Sequence, residues 1–277
     1  MKEKVTIVKV GGAIVEDEKQ LSQLLEDFSA IPGKKVLVHG GGRSATKIAS
    51  SLGIESTMID GRRVTDSEML KVVTMVYGGL VNKNLVARLQ AHQVNAIGLT
   101  GADMDVLRAH RRPLVKKADG QTIDYGFVGD VERANGDVLH MLRDAGITPV
   151  MAPLTHDGQG NMLNTNADTI ASETAKALAP YYDVTLIYSF EKKGVLSNPE
   201  DDDSVIPLIT PSLFQQLVKD GTIGGGMIPK LENAFMAINS GVGRVIITLA
   251  TAFDGQQVPR SWKNPRNVKK EKNIGIL

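Results

Sequence analysis

A chain of 277 residues with 42% hydrophobic content and a formal charge of +1 can bury one large core or two modest lobes, and it carries no overall field that would recruit nucleic acid or anionic lipid. The absence of cysteine excludes disulfides, thiol nucleophiles and thiolate metal sites, and the five histidines (His39, His92, His110, His140 and His156) lack the spacing of a zinc site. No stretch approaches the roughly 18 apolar residues of a membrane span and the start "MKEKVTIVKV" has no signal-type apolar run, so a cytoplasmic protein without membrane or nucleic-acid partners is expected.

In chain order, strand-like runs occur at "VTIVKV", "KKVLVHG", "VNAIGLTG", "ITPVMAP", "DVTLIYS" and "GRVIITLA", most of them separated by amphipathic stretches. This alternation predicts an α/β fold: a three-layer sandwich whose open, mostly parallel central sheet is flanked by helices. Thr65 with Glu68 fits a capping box ahead of a long helix, and Thr210 followed by Pro211 fits an N-cap and first helical position. Between Met104 and Glu132, short β-prone runs broken by Pro113 and "ADGQ" predict an antiparallel β-hairpin insertion. Residues 258–277 hold six Lys or Arg against one Glu without apolar periodicity, which predicts a flexible or loosely docked basic tail.

Lys9 interrupts the first strand, and by itself a lysine near a strand end has a bland explanation, since such side chains reach out to solvent. Three glycine-rich turns change the weighing. "KVGGAI" follows the first strand, "VHGGGRSATKIA" follows the second, and "GTIGGGMIPKLENA" opens a late helix. Glycine lets backbone N–H groups approach an anion, and a helix N-terminus adds partial positive charge at the carboxyl ends of strands where α/β sheets bind ligands. The P-loop, the dinucleotide fingerprint after the first strand and the protein-kinase motifs are all absent, so a phosphate ligand would be bound by another architecture. In "NTNADTIA", Asn164, Asn166 and Asp168 converge on one helix start; plain capping explains one of the three.

Taken in order and spacing, "KVGG", "VHGGG", "DGRRVT", "NTNADTIA" and "GGGMIPKLENA" resemble the amino acid kinase family, and within it the branch that phosphorylates N-acylated glutamate, from about residue 4 to about residue 256. The resemblance implies two lobes: residues 1–175 for the acylglutamate and dimerisation, and residues 176–257 for ATP. It places Lys9 and Lys230 on either side of the transferred phosphoryl group, with Asp168 holding both ammonium groups. Arg63 would clamp the α-carboxylate through paired hydrogen bonds. Asn164 and Asn166 would complete the substrate pocket, while Gly11, Gly12, Gly41 and Gly42 offer N–H groups to the γ-carboxylate and phosphoryl oxygens. Lys193, Gly194, Val195 and Leu196, with Gly224, Gly225, Gly226 and Met227, would contact ATP. Mg²⁺ would be held mainly by phosphates and water, with no protein ligand named. No protein base is required, because the acceptor carboxylate is ionised at neutral pH.

The chain departs from the family at "YSFEKKGVL", where Phe190 and an extra residue stand in place of the usual acidic residue and Glu191 is the candidate replacement. A homodimer is expected, with the long helix after Asp66 as candidate interface or, equally, ordinary core. Arginine insensitivity is expected because the chain starts three residues before the first strand. The implied reaction is ATP-dependent phosphorylation of N-acetyl-L-glutamate or a close acyl analogue in arginine biosynthesis. N-succinyl-L-glutamate, another acidic amino acid, or a non-catalytic sensor are the alternatives, and the joint presence of Lys9, Asp168 and Lys230 argues against a sensor.

Overall fold

The computed structural model describes residues 2–117, 120–190, 194–198, 200–201, 203–224, 227–249 and 274–276. The six apolar runs all become strands of one sheet: β1 (Lys4–Val10), β2 (Lys34–His39), β3 (Ala96–Leu99), β4 (Thr148–Met151), β5 (Asp183–Phe190) and, after a short β6 (Leu208–Ile209), β7 (Arg244–Leu249). A last strand, β8 (Ile274–Ile276), completes the order β6-β8-β7-β5-β1-β2-β4-β3. Every neighbour pair is parallel except β6 with β8.

Near-continuous Val, Ile and Leu suit strands covered on both faces. Period-two alternation sends Val5, Ile7, Val36, Val38, Val184 and Leu186 into one core with helices Ala167–Leu178 and Met227–Asn239. Val8, Val10, Leu37 and Val150 face the opposite core, built with helices Glu18–Ala30 and Gly42–Ser51 and the long helical segment after Asp66. The sheet is therefore the middle of three layers, as expected.

The expected hairpin insertion is present as Leu107–Arg111 paired antiparallel with Gly129–Ala134, and as a smaller ribbon of Val115–Lys116 with Thr122–Ile123. It does not stand alone: Leu107–Arg111 also joins Leu154–His156 and Met162–Asn164 to make a second, four-stranded sheet. This sheet delivers the chain to the start of helix Ala167–Leu178.

One expectation is corrected. Asp66, not Thr65, caps the long helix, its side chain accepting from the Met69 N–H, while the Thr65 hydroxyl donates to the Arg63 carbonyl. That helix is not regular: Ser67–Val73 passes into a π-helical stretch, Thr74–Val81, before α-geometry resumes at Asn82–Ala91. Gly78 and Gly79 lie in the π stretch, where widened turns are tolerated. Within the tail, Ile274–Ile276 joins the sheet: β8 pairs with both β7 and β6, and Ile274 is fully buried. Residues 250–273 lie outside the described residues. Thr210 caps helix Pro211–Lys219 as expected.

Since Ile274 is a buried aliphatic between two strands, Ile274→Ala should cost about 2–4 kcal/mol of stability. Urea unfolding followed by circular dichroism measures this, and an unchanged midpoint would mean that β8 adds nothing to the sheet.

Candidate active site

Lys9 has the parity of Val5 and Ile7, so its side chain leaves the sheet toward helix Ala167–Leu178. There Lys9 Nζ lies 2.8 Å from Asp168 Oδ1, with each side chain 9% exposed. Among the described residues Asp168 Oδ1 makes no directed hydrogen bond, and its contact with Lys9 is an ion pair. Tyr188, the register partner of Lys9 on β5, is buried beside them and donates its hydroxyl to the Asp168 carbonyl at 3.3 Å. Burying two charges is costly, and removing either partner would strand the other.

Lys230 lies in the first turn of helix Met227–Asn239 and is half-buried. This helix and Ala167–Leu178 precede the parallel strands β7 and β5, so they run in the same direction. Ser172 Oγ donates to the Asn233 carbonyl between them at 3.3 Å. Asp168 lies one turn before Ser172, and Lys230 three residues before Asn233. Both therefore sit at the same end of the sheet as Lys9.

The first two glycine turns meet at that end. Gly40 N–H donates to the Val10 carbonyl at 2.9 Å, carrying the β1–β2 ladder into the turns. A Cβ built on Gly12 would lie 3.2 Å from Gly41 N and 3.3 Å from Gly42 N, and one on Gly40 would lie 2.9 Å from Gly12 N. The nitrogens of Gly41 and Gly42 thus border the place of a Gly12 side chain, and that of Gly12 borders the place of a Gly40 side chain, so the two turns pack backbone against backbone. Gly11 and Gly41 cap helices Gly12–Glu16 and Gly42–Ser51 without any side-chain hydrogen bond, which leaves first-turn donors available to an anion.

Beside this cradle lies a pocket of about 190 Å³ lined by Gly41, Gly42, Arg63, Asn164 and Asn166, so all five expected substrate contacts come together. Arg63 is 8% exposed and is held by Gly42 O at 2.8 Å and Thr46 Oγ1 at 2.9 Å, with Ser56 Oγ as a further partner. Asn164 Nδ2 donates to Thr65 Oγ1 at 2.9 Å. Asn166 also takes the bland role, its Oδ1 capping the helix by accepting from the N–H groups of Asp168 and Thr169.

Sequence reading missed Met58, Arg62 and Tyr77 in this lining. Met58, Arg62 and Arg63 belong to a hairpin, Met58–Ile59 with Arg62–Arg63, turned by Asp60 (φ 50°) and Gly61 (φ 73°). An Asp-Gly pair is a strong hairpin signal and could have revealed it. Tyr77 had no such signal, because its place under Gly41 depends on the π stretch.

The expected nucleotide contacts are less completely placed. Lys193, Gly225 and Gly226 lie outside the described residues, as does Glu191. Gly194 and Val195 are buried, with Val195 O accepting from Ile206 N–H at 2.9 Å, and Leu196 bridges to Val205. Gly224 is exposed next to Met227, the first residue of the Lys230 helix. At the end of β5, Ser189 is fully buried, and among the described residues its hydroxyl has no hydrogen-bond partner, an orphaned polar group beside the first glycine turn.

A parallel sheet whose strand ends present a buried cation–carboxylate pair and two closely packed glycine turns is the layout of an α/β protein with its ligand site at the strand ends. The chain belongs to the amino acid kinase family, whose model matches residues 4–249. It is 67% identical over 254 residues to an acetylglutamate kinase of Phocaeicola vulgatus, covering 92% of this chain and 96% of that one. It is 66% identical over 263 residues to an acetylglutamate kinase of Bacteroides thetaiotaomicron, covering 95% of this chain and all of the other. Among solved structures, the smu.665 protein of Streptococcus mutans superimposes with a TM-score of 0.70 at 32% identity, over 88% of this chain and 94% of that chain.

His39 lies at the carboxyl end of β2, and its complete burial, with the charge of Lys83 nearby, pushes the imidazole down to about 4 from an ordinary 6.5. The unfolded chain therefore takes up this proton first. The folded state holds its full advantage above pH 6.5 and loses it as pH falls toward 4, by about 3 kcal/mol for this group. Urea midpoints between pH 7 and pH 4 should fall more steeply for the wild type than for His39→Asn, and parallel curves would contradict this origin.

Proposed function

We propose that this chain transfers the γ-phosphoryl group of ATP to the side-chain carboxylate of N-acetyl-L-glutamate, yielding an acyl phosphate and ADP in arginine biosynthesis. The observation that carries this reading is the close packing of Gly12 against Gly41 and Gly42 at the strand ends that also hold the buried Lys9–Asp168 pair, next to a pocket walled by Arg63. The relatives' printed activity agrees with it.

In this reading an oxygen of the acceptor carboxylate attacks the γ-phosphorus as the bond to the β,γ-bridging oxygen breaks. Transfer of this kind asks chiefly for positioning and for cations near the equatorial and leaving oxygens. Lys9 and Lys230 supply the cations, and Asp168 orients Lys9. The glycine amides meet oxygens where a side chain would block approach. Arg63 takes the α-carboxylate. With Nδ2 engaged by Thr65, Asn164 turns its Oδ1 to the acylamide N–H. Residues 176–257 form the nucleotide lobe, and the orphaned Ser189 hydroxyl supports a ligand there. Mg²⁺ would be held mainly by the phosphates and water and would neutralise phosphate charge.

Arg62 favours a second reading of the acyl group. This half-buried guanidinium lines the pocket and makes no ion pair among the described residues, since Asp130 is held by Arg112. N-succinyl-L-glutamate would bring a third carboxylate to it. Coupled ADP release with N-acetyl-, N-succinyl- and free L-glutamate separates the possibilities: a preference for the succinyl substrate that disappears in Arg62→Ala selects the second reading, and activity on none rejects both. On the preferred acceptor, Lys9→Ala and Lys230→Ala should each lose about 10²-fold or more in kcat with folding intact. Near-normal turnover in either would remove that lysine from the mechanism.

The chain also pairs as a homodimer in this reading, through the long helix, where Met75 and Leu80 are 55% and 51% exposed. Light scattering should give twice the monomer mass, falling to the monomer in Leu80→Asp; a monomeric wild type would rule the dimer out.

A further inference from the structure

A buried polar network behind the second glycine turn has no part in the chemistry described so far. His39 Nδ1 lies 2.7 Å from the Gly40 carbonyl, and its Nε2 lies 3.1 Å from Asn82 Nδ2. A carbonyl can only accept and an amide nitrogen can only donate, so the imidazole is neutral with its proton on Nδ1. Asn82 Nδ2 spends its other hydrogen on the Val150 carbonyl at 2.9 Å, and its Oδ1 accepts from Lys83 Nζ at 3.2 Å. The fold makes room for this amide at some cost to the sheet: a Cβ on Gly98 of β3 would lie 1.8 Å from Asn82 Oδ1.

The consequence lies one peptide further on. No peptide bond among the described residues is cis, and in a trans peptide the C=O and the following N–H point in opposite directions. A hydrogen bond that draws the Gly40 carbonyl toward His39 therefore turns the Gly41 N–H away from it. Gly41 lines the pocket, and its nitrogen lies 3.2 Å from where a Gly12 side chain would stand. The other side of the turn is blocked as well, because a Cβ on Gly41 would lie 2.9 Å from the Tyr77 ring. Both supports hang on the π stretch Thr74–Val81: Tyr77 lies in it and Asn82 follows it. Regular α-geometry through the same eight residues would rotate Asn82 about the helix axis relative to Tyr77, and the two contacts could not coexist.

We infer that His39, fixed in one tautomer by Asn82, is a positioning residue that aims the Gly41 N–H into the cleft where phosphoryl or carboxylate oxygen is received. This rests on the functional reading above. Preorganised donors act because they need no reorientation when charge develops, so a freed Gly40–Gly41 peptide should weaken transition-state binding more than substrate binding.

The test uses His39→Leu, which keeps bulk and removes the donor, and His39→Asn, whose amide can place a donor where Nδ1 stands. We expect His39→Leu to lose about tenfold or more in kcat with KM for acceptor and ATP within about threefold, and His39→Asn to recover most of that loss although its contact with Asn82 is gone. Binding of ADP with aluminium fluoride and acceptor should weaken in step with kcat, while binding of ADP alone stays constant. Should His39→Leu not fold, Asn82→Ala reads the same quantity by releasing the tautomer, with the same split between kcat and KM. A folded His39→Leu with kcat within about threefold of wild type overturns the inference, as does a folded His39→Asn no better than His39→Leu. An active wild type alongside either result leaves the functional reading standing; a wild type inactive on every acidic acceptor overturns both.

Discussion

A lysine and an aspartate, each less than a tenth exposed, meet at 2.8 Å where the first strand of a parallel sheet ends and a helix begins. Such a pair is a poor way to gain stability, since desolvating both charges consumes most of their attraction. Its value lies in what it fixes. It ties the middle of the sheet to the start of helix Ala167–Leu178, and it holds a cation at the one edge of the sheet where helix N-termini and glycine amides also collect. Remaining features of the site arrange backbone and side chains around that charge.

The arrangement follows from topology. In a parallel sheet with helices on both faces, carboxyl ends of strands and amino ends of helices lie on the same side, so Lys9, the two glycine turns, Asp168 and Lys230 reach one end without special bends. Steric limits refine it: a side chain on Gly12 or Gly40 would meet the backbone of the opposite turn, and one on Gly41 would meet the Tyr77 ring. The second sheet and the Met58–Arg63 hairpin then wall the neighbouring pocket with Arg63, Asn164 and Arg62. Behind the turn, a closed set of buried hydrogen bonds leaves no freedom to the Gly40–Gly41 peptide, the condition for donors that act without reorganising.

Much of this was legible in the chain. The six main strands are apolar runs bounded by glycine, proline or aspartate, and period-two alternation already put Lys9 on the face of Ile7. Thr210–Pro211 announced a helix start that the fold retains. Two shifts came from local competition: Asp66, next to Thr65, is the stronger acceptor at the helix start, and Thr65 turns instead to the Arg63 carbonyl and Asn164. Ile274–Ile276 was obscured by the basic residues before it, and three residues are too few to show a period.

What the sequence determines by itself is whatever depends on neighbours along the chain: strand and helix periods, caps, and glycines where a backbone must approach something closely. From these came the layered sheet and the candidate residues Lys9, Asn164 and Asp168, while the resemblance to the amino acid kinase family added Arg63. Tertiary structure alone decided which of them meet, because the contacts between Lys9 and Asp168, Asn164 and Thr65, and His39 and Asn82 span 43 to 159 positions. It also decided the π stretch, whose widened turns have no intrinsic propensity to reveal them and persist because they pack Tyr77 beneath Gly41 and bring Asn82 to His39.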